Sequence, residues 1–404
     1  MKRICILLLI ATIAINNFLF AQDETEKKKT AEIYGFIMMD MGYNFNQIHP
    51  DWFDVVRPTK LPSFENEFGT DGNFFFSVRQ TRLGFKNYFQ TGLGELRTHF
   101  EFEMFGTGVD AGQTTIRLRH AYAELGKFGA GQYWSPFMDI DVFPNTVEYW
   151  GPTGMAFFRN VQVRFMPIQG PTRLTIALER PGASADQGIY SDRIELQDVK
   201  PRFPFPDLSA EYRHAFKFGY IELAGIVRRM EWEDQTPTPF DLSGDATGWG
   251  LNLSTNINLG KSTVFRGSFL YGEGVQNYMN DAPVDVGIKN NPGNPTKPVI
   301  GVALPVTGIS AFIDHTWNEK FSTAIGYSSI DIDNSDAQAD NAFRMGQYAV
   351  GNLMWYPYKN AMMGIEFQWG TRENFNDGWD TDIMKVQFSF KYNFNQTFYK
   401  NNNQ

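Results

Sequence analysis

Apolar and polar residues alternate with a period of two along most of this chain. From Met384 to Phe394, the residues Met384, Val386, Phe388, Phe390, Tyr392 and Phe394 take turns with Lys385, Gln387, Ser389, Lys391 and Asn393. From Leu96 to Met104, Leu96, Thr98, Phe100, Phe102 and Met104 take turns with Arg97, His99, Glu101 and Glu103. Successive side chains of a strand point to opposite faces, so the pattern predicts strands with one apolar and one polar face. Sixteen such segments run from 31–44 to 380–394, most of them long enough to cross a bilayer at a tilt. Their connections alternate. Short links fall at 90–93, 126, 166–170, 218, 260–261, 318 and 357–360, and long ones at 45–73, 107–112, 135–158, 181–206, 232–244, 274–305, 331–342 and 373–379. A sandwich or propeller has no reason for this rhythm. A transmembrane barrel has one, with tight turns facing the periplasm and long loops facing outside. The expected fold is therefore all-β: a 16-stranded antiparallel transmembrane barrel.

The first 21 residues change the picture of location. Lys2 and Arg3 precede the apolar run Ile4–Ile15, and Ala21 stands before Gln22. The run is too short to span a membrane and reads as a signal peptide. The expected organisation is a signal peptide at 1–21, a short periplasmic tail at 22–30, the barrel at 31–394 and a polar extension at 395–404. The single cysteine, Cys5, lies in the signal, which leaves no disulfide framework or thiolate metal site. No later stretch reaches 18 consecutive apolar residues, so no transmembrane helix is expected. Aromatic residues make up 16% of the chain and mean hydropathy is −0.34. Such values suit a barrel with one lipid face and one water face, or a secreted soluble β protein.

If the apolar faces meet lipid, the polar faces line a lumen. Strand parity places Arg97, Arg117, Arg119, Arg164, Arg173, Arg213, Arg228 and Arg266 inside, together with Arg82 and, by extension, Arg344. Arg79 then has the wrong parity. Inner carboxylates include Glu101, Glu103, Glu179, Glu211, Glu222 and Glu366. Arginine keeps its charge and offers a planar fork of donors to carboxylate or phosphate, so a column of such forks eases the passage of an anion. The same residues could instead brace the wall by pairing with the glutamates.

Loop 135–158 reads SPFMDIDVFPNTVEYWGPTGMAFF, which is too apolar for a loop lying in water. Folded into the barrel, it would bury its aromatics, narrow the pore and set Asp139, Asp141 and Glu148 against wall arginines. A loop packed on a neighbouring subunit would satisfy the same residues. No nucleophile elbow, P-loop, H-E-x-x-H or dinucleotide motif is present, and the five histidines lack metal-ligand spacing. Parity sends His99 inward and His120 outward, against a catalytic pair. No catalytic residue, metal or cofactor is expected, and nothing points to nucleic acid.

RQTRLGFKNYF (79–89), GELRTHFEFEMFG (94–106), RLRHAYAELGKFGAGQYWSPFMD (117–139) and PGASAD (181–186) together resemble the DcaP-like outer-membrane porins. The resemblance is densest over 31–215. It implies a homotrimer of sixteen-stranded barrels with an inward third loop, passing small anions such as dicarboxylates. It further implies that Arg117 and Arg119 line the pore and that Trp134 to Asp139 begin the constriction. Two departures stand out. Only Gln22–Thr30 precedes the first strand, with no heptads for the coiled coil many members carry, and ten residues follow the terminal aromatic Phe394. The resulting expectation is a Gram-negative outer-membrane porin, seated in outer-membrane lipid, that gives passive diffusion to small polar and preferentially anionic solutes. The competing readings are a barrel with an adhesive or lipid- or ester-hydrolysing role, and the secreted soluble β protein.

Overall fold

Alternating strands with an apolar outer face can close on themselves, and here they do. The computed structural model describes residues 28–193 and 196–400. Within them, sixteen wall strands pair antiparallel with their sequence neighbours. Lys28–Asn44 then pairs with Asp380–Lys400, which removes the free edges. Two walls are each made of two pieces, Asn73–Ser77 with Arg82–Thr91 and Val199–Arg202 with Asp207–Phe216. A separate hairpin, Val286–Asn290 with Val299–Ala303, rises from the sixth long loop.

Burial is inverted relative to a water-soluble sheet. Leu251, Leu253, Ile221, Leu223, Ile309 and Phe367 are exposed on the outside, while their neighbours Asn252, Ser254, Glu222, Ser310, Glu366 and Gln368 are buried within. This is the arrangement a lipid-facing wall requires. Leu253→Arg, flanked on the outer face by Leu223 and Phe269, would place a guanidinium in hydrocarbon. It is expected to cost about 2–4 kcal/mol, read as a lower urea midpoint for unfolding from lipid vesicles.

The structure moves several boundaries. The first strand begins at Lys28, inside the expected tail, and the last runs to Lys400, well into the expected extension. The cause is mutual: Lys28–Tyr34 and Asn395–Lys400 satisfy each other's backbone groups in one continued ladder. The signal segment 1–21 lies outside the described residues. Arg79 sits in a break between the two pieces of its wall, where Thr81 N–H bonds Val78 O, and its side chain turns inward to Asp54. Opposite Glu101 and Phe102 the ladder slips at Arg119, so both Arg119 and His120 face the lumen. His120 is therefore inside, not outside as parity implied. A similar slip between Phe343 and Met345 turns Arg344 outward, where it meets Asp331 on the exposed face.

The barrel's hydrophobic core belongs to its loops. Phe137 and Met138 of loop 135–158 pack with Ala224, Ile226, Leu270 and Ile330 of the wall and with Tyr278 and Met279 of the sixth loop. Ile48, Val56 and Leu61 of the first loop pack on Phe312, Tyr348, Val350 and Ile383. Three loops thus enter the lumen where one was expected.

Candidate functional site

Loop 135–158 circles the inner wall, and its polar groups are met in turn by side chains of several strands. Asn252 donates to the Phe137 carbonyl at 3.1 Å. Tyr220 and Ser254 each donate to Asp139 at 2.7 Å, and Asn256 donates to the Asp141 carbonyl at 2.7 Å. Asn352 donates to the Asn145 carbonyl at 2.9 Å. The Val147 and Glu148 amides donate to Glu366 at 2.9 and 3.0 Å, and Gln80 donates to the Val147 carbonyl at 2.8 Å. Tyr149 donates to Glu103, two strands from the one that leads into the loop. Gly154 has a φ of 72°, and a Cβ there would stand 2.0 Å from the Ser329 carbonyl, so only glycine lets the loop lie this close to the wall.

The arginines gather in two groups. In the first, Arg119 bonds Glu101 and Glu103 at 2.6 Å each, Arg82 bonds Glu103 at 3.1 Å, and Arg117 also bonds Glu103. Arg159 lies 3.9 Å from the same carboxylate. Four arginines face two glutamates, a formal excess of +2. In the second, Arg213 bonds Asp139 and Asp141 at 2.6 Å and Glu222 at 2.7 Å, while Arg173 bonds Glu222 at 2.8 Å and Glu211 at 3.1 Å. Two arginines there face four carboxylates, a formal excess of −2. The two groups lie on different arcs of one wall, with loop 135–158 touching both.

The other expected arginines are apart. Arg228 is fully buried between Asp207 and Asp285, at 3.0 and 2.8 Å. Arg266 bonds Asp314 at 2.6 Å. Arg97 stands at the turn end of the barrel with Glu95 and Glu124, at 2.8 and 3.3 Å. Arg164 has no carboxylate within bonding distance among the described residues. It bonds Gln162 at 2.7 Å and lies over the rings of Tyr122 and Tyr133.

Two of the three loop carboxylates meet an arginine, and they touch it directly with no passage between. Glu148 meets none. It accepts the amides of Val56 and Gly151, and burial pushes its carboxyl above the ordinary range. Three inner-face lysines were not singled out from the sequence: Lys385, buried with its ammonium on the Asp54 carbonyl, Lys86 and Lys391. Lys86 lies over the Tyr34 ring at 4.6 Å and Lys391 over the Phe36 ring at 4.1 Å, and neither has an ion-pair partner among the described residues. Lys391 stood in the polar register of the clearest strand, so its inward direction was available.

His99 and His120 come together, their ring centroids 4.8 Å apart, and Tyr34 bonds His99 at 2.6 Å. Among the described residues no serine bonds a histidine, and no cluster of three metal-ligating side chains forms.

A closed barrel with an inverted face, a charged lumen and a loop carried across it defines an outer-membrane barrel of porin architecture. Residues 19–283 match the DcaP outer membrane protein family, and the chain belongs to that family. Among solved structures, it is similar to the outer membrane channel DcaP of Acinetobacter baumannii. The two share 20% identity over 93% of this chain and all of that one, with a TM-score of 0.74. OmpT of Vibrio cholerae in its trimer form shares 13% identity over 91% of this chain and all of that one, with a TM-score of 0.54. OmpF of Salmonella typhi, in complex with daunomycin, shares 12% over 91% and 98%, also with a TM-score of 0.54. No curated protein matches the chain.

Proposed function

We propose that this protein is a passive diffusion channel for small polar solutes that favours anions, dicarboxylates among them. The observation that carries the reading is which partner of each ion pair faces water. Arg82 and Arg117 are 23% and 19% exposed, while Glu103 between them is 0% exposed. Arg173 is 27% exposed against 1% for Glu222. The carboxylates sit behind their arginines, and a solute in the lumen meets the cationic side first. Bracing and selectivity are thus served by the same residues: the pair holds the wall, and its exposed half sets the local potential. Lys86 and Lys391 add positive charge without a direct ion pair among the described residues. Asp141, 49% exposed, runs the other way against Arg213, and Glu101 is slightly more exposed than Arg119.

A homotrimer fits this reading. On the outer face, Asn87 bonds Thr98 at 3.2 Å beside Ala121, Ala123 and Ala130. Polar and small residues suit a neighbouring subunit better than hydrocarbon. OmpT, of similar architecture, has been seen as a trimer.

The test is solute influx into proteoliposomes, measured by swelling. A four-carbon dicarboxylate is expected to enter faster than a neutral sugar of equal size. The opposite order would overturn the anion preference, and no influx of either would overturn the channel.

A further inference from the structure

Beside the external end of the barrel lies a second concavity that the channel reading does not use. Hairpin Val286–Asn290/Val299–Ala303 is joined by loop 180–187 through a parallel bridge between Ala185 and Val286, which forms a small lid. Between this lid and the wall is a cavity of about 300 Å³. Ala183, Ala185, Val199, Trp232, Val286 and Val299 supply much of its surface. Two apolar clusters flank it, one around Leu196, Leu242 and Ile288, the other around Met230 and Val286.

We infer that this cavity binds a small, uncharged apolar solute, such as a single aromatic ring. Three observations carry the inference. First, the concavity is open to water yet largely apolar in its lining, so an apolar ligand seated in it removes that surface from water, and its volume is enough for a single aromatic ring. Second, its polar side chains are already committed. Ser184 bonds Asp285 at 3.2 Å, Gln187 bonds the Leu196 carbonyl at 3.1 Å, and Trp232 bonds the Leu242 carbonyl at 2.9 Å. Asp186 accepts from Gly188 N–H and Gln338, and Glu231 is held by Arg202 and Arg229. Each already has a partner, and no lysine or arginine among the described residues lines the cavity, so recognition rests chiefly on shape and apolar contact.

Third, the wall is open there. Among the described residues, Val199–Arg202 pairs with Gly219–Asp234 and with no strand on its other side, because Arg173–Glu179 ends where Glu179 meets Asp207. Pro201, Pro204 and Pro206 remove backbone donors along this edge, which keeps it from being sealed by another strand.

The position selects a dissolved solute over a lipid chain. Trp249, Tyr271 and Tyr327 face outward at the external end of the apolar band, and Trp249 pairs with Val227. The cavity begins at Met230, three residues further out. Acyl chains end below that belt.

The test is ¹⁹F NMR of 4-fluorotoluene titrated into the protein in lipid nanodiscs, with empty nanodiscs as reference. Ala185→Phe and Val199→Phe fill the cavity from opposite sides, and ion conductance reports that each variant is folded. Saturable binding is expected for the unaltered protein, weakened roughly tenfold or more in whichever variant conducts normally. Binding that equals empty nanodiscs, or that survives in a conducting fill variant, would overturn the site. A phospholipid that copurifies and must be removed before the probe binds would overturn the free-solute assignment.

Discussion

Glu103→Gln is expected to destabilise the barrel more than any other single change in the lumen. Glu103 is fully buried and bonds Arg82, Arg117, Arg119 and Tyr149. The glutamine keeps the volume and removes the charge, which leaves guanidinium groups facing one another with Glu101 as the one carboxylate still paired to them among the described residues. Breaking a buried pair by deleting one partner costs about 3–5 kcal/mol, because the stranded charge keeps its desolvation penalty. Urea unfolding from vesicles should show a loss of that size, and the same variant should conduct anions with greater preference. An unchanged midpoint would mean that these arginines are solvated and need no counter-ion.

Asp139→Ala is expected to free the near end of loop 135–158. The carboxylate gathers Arg213, Tyr220 and Ser254 onto one residue. Its loss leaves Arg213 paired with Asp141 and Glu222 but removes one charged and two hydroxyl hydrogen bonds to the loop. At about 1 kcal/mol for each bond, the balance between seated and unseated loop shifts roughly a hundredfold. Single-channel records should then show larger and noisier currents than the parent. Quiet currents of unchanged size would show that the apolar packing of Phe137 and Met138 holds the loop without Asp139.

The wall was legible in the sequence and the lumen only in part, for one physical reason. Alternation is a property of a single strand, so Met384–Phe394 announces itself without its neighbours. Facing depends on register, and register depends on the partner strand. Parity therefore misdirected His120 and Arg344, each beside a ladder slip that two adjacent strands create together. The extra reach of the last strand was hidden because Asn395–Lys400 is polar, and only pairing with Lys28–Tyr34 makes it a strand. Loop 135–158 was readable because its composition was wrong for water. The inward course of the first loop was not, since Val55, Val56 and Leu61 are spread among charged residues and prolines. Which residue of each ion pair would face water is a matter of depth, and a sequence carries no measure of depth.

The central claim is that exposed arginines, with their carboxylates behind them, set the sign of the pore. It is tested most directly by the zero-current potential of the purified protein in a planar bilayer under a salt gradient, compared with Arg82→Ala/Arg117→Ala. An anion-biased potential is expected in the parent, falling towards zero or reversing in the double variant. An equal potential in both proteins, or a cation bias in the parent, would contradict it.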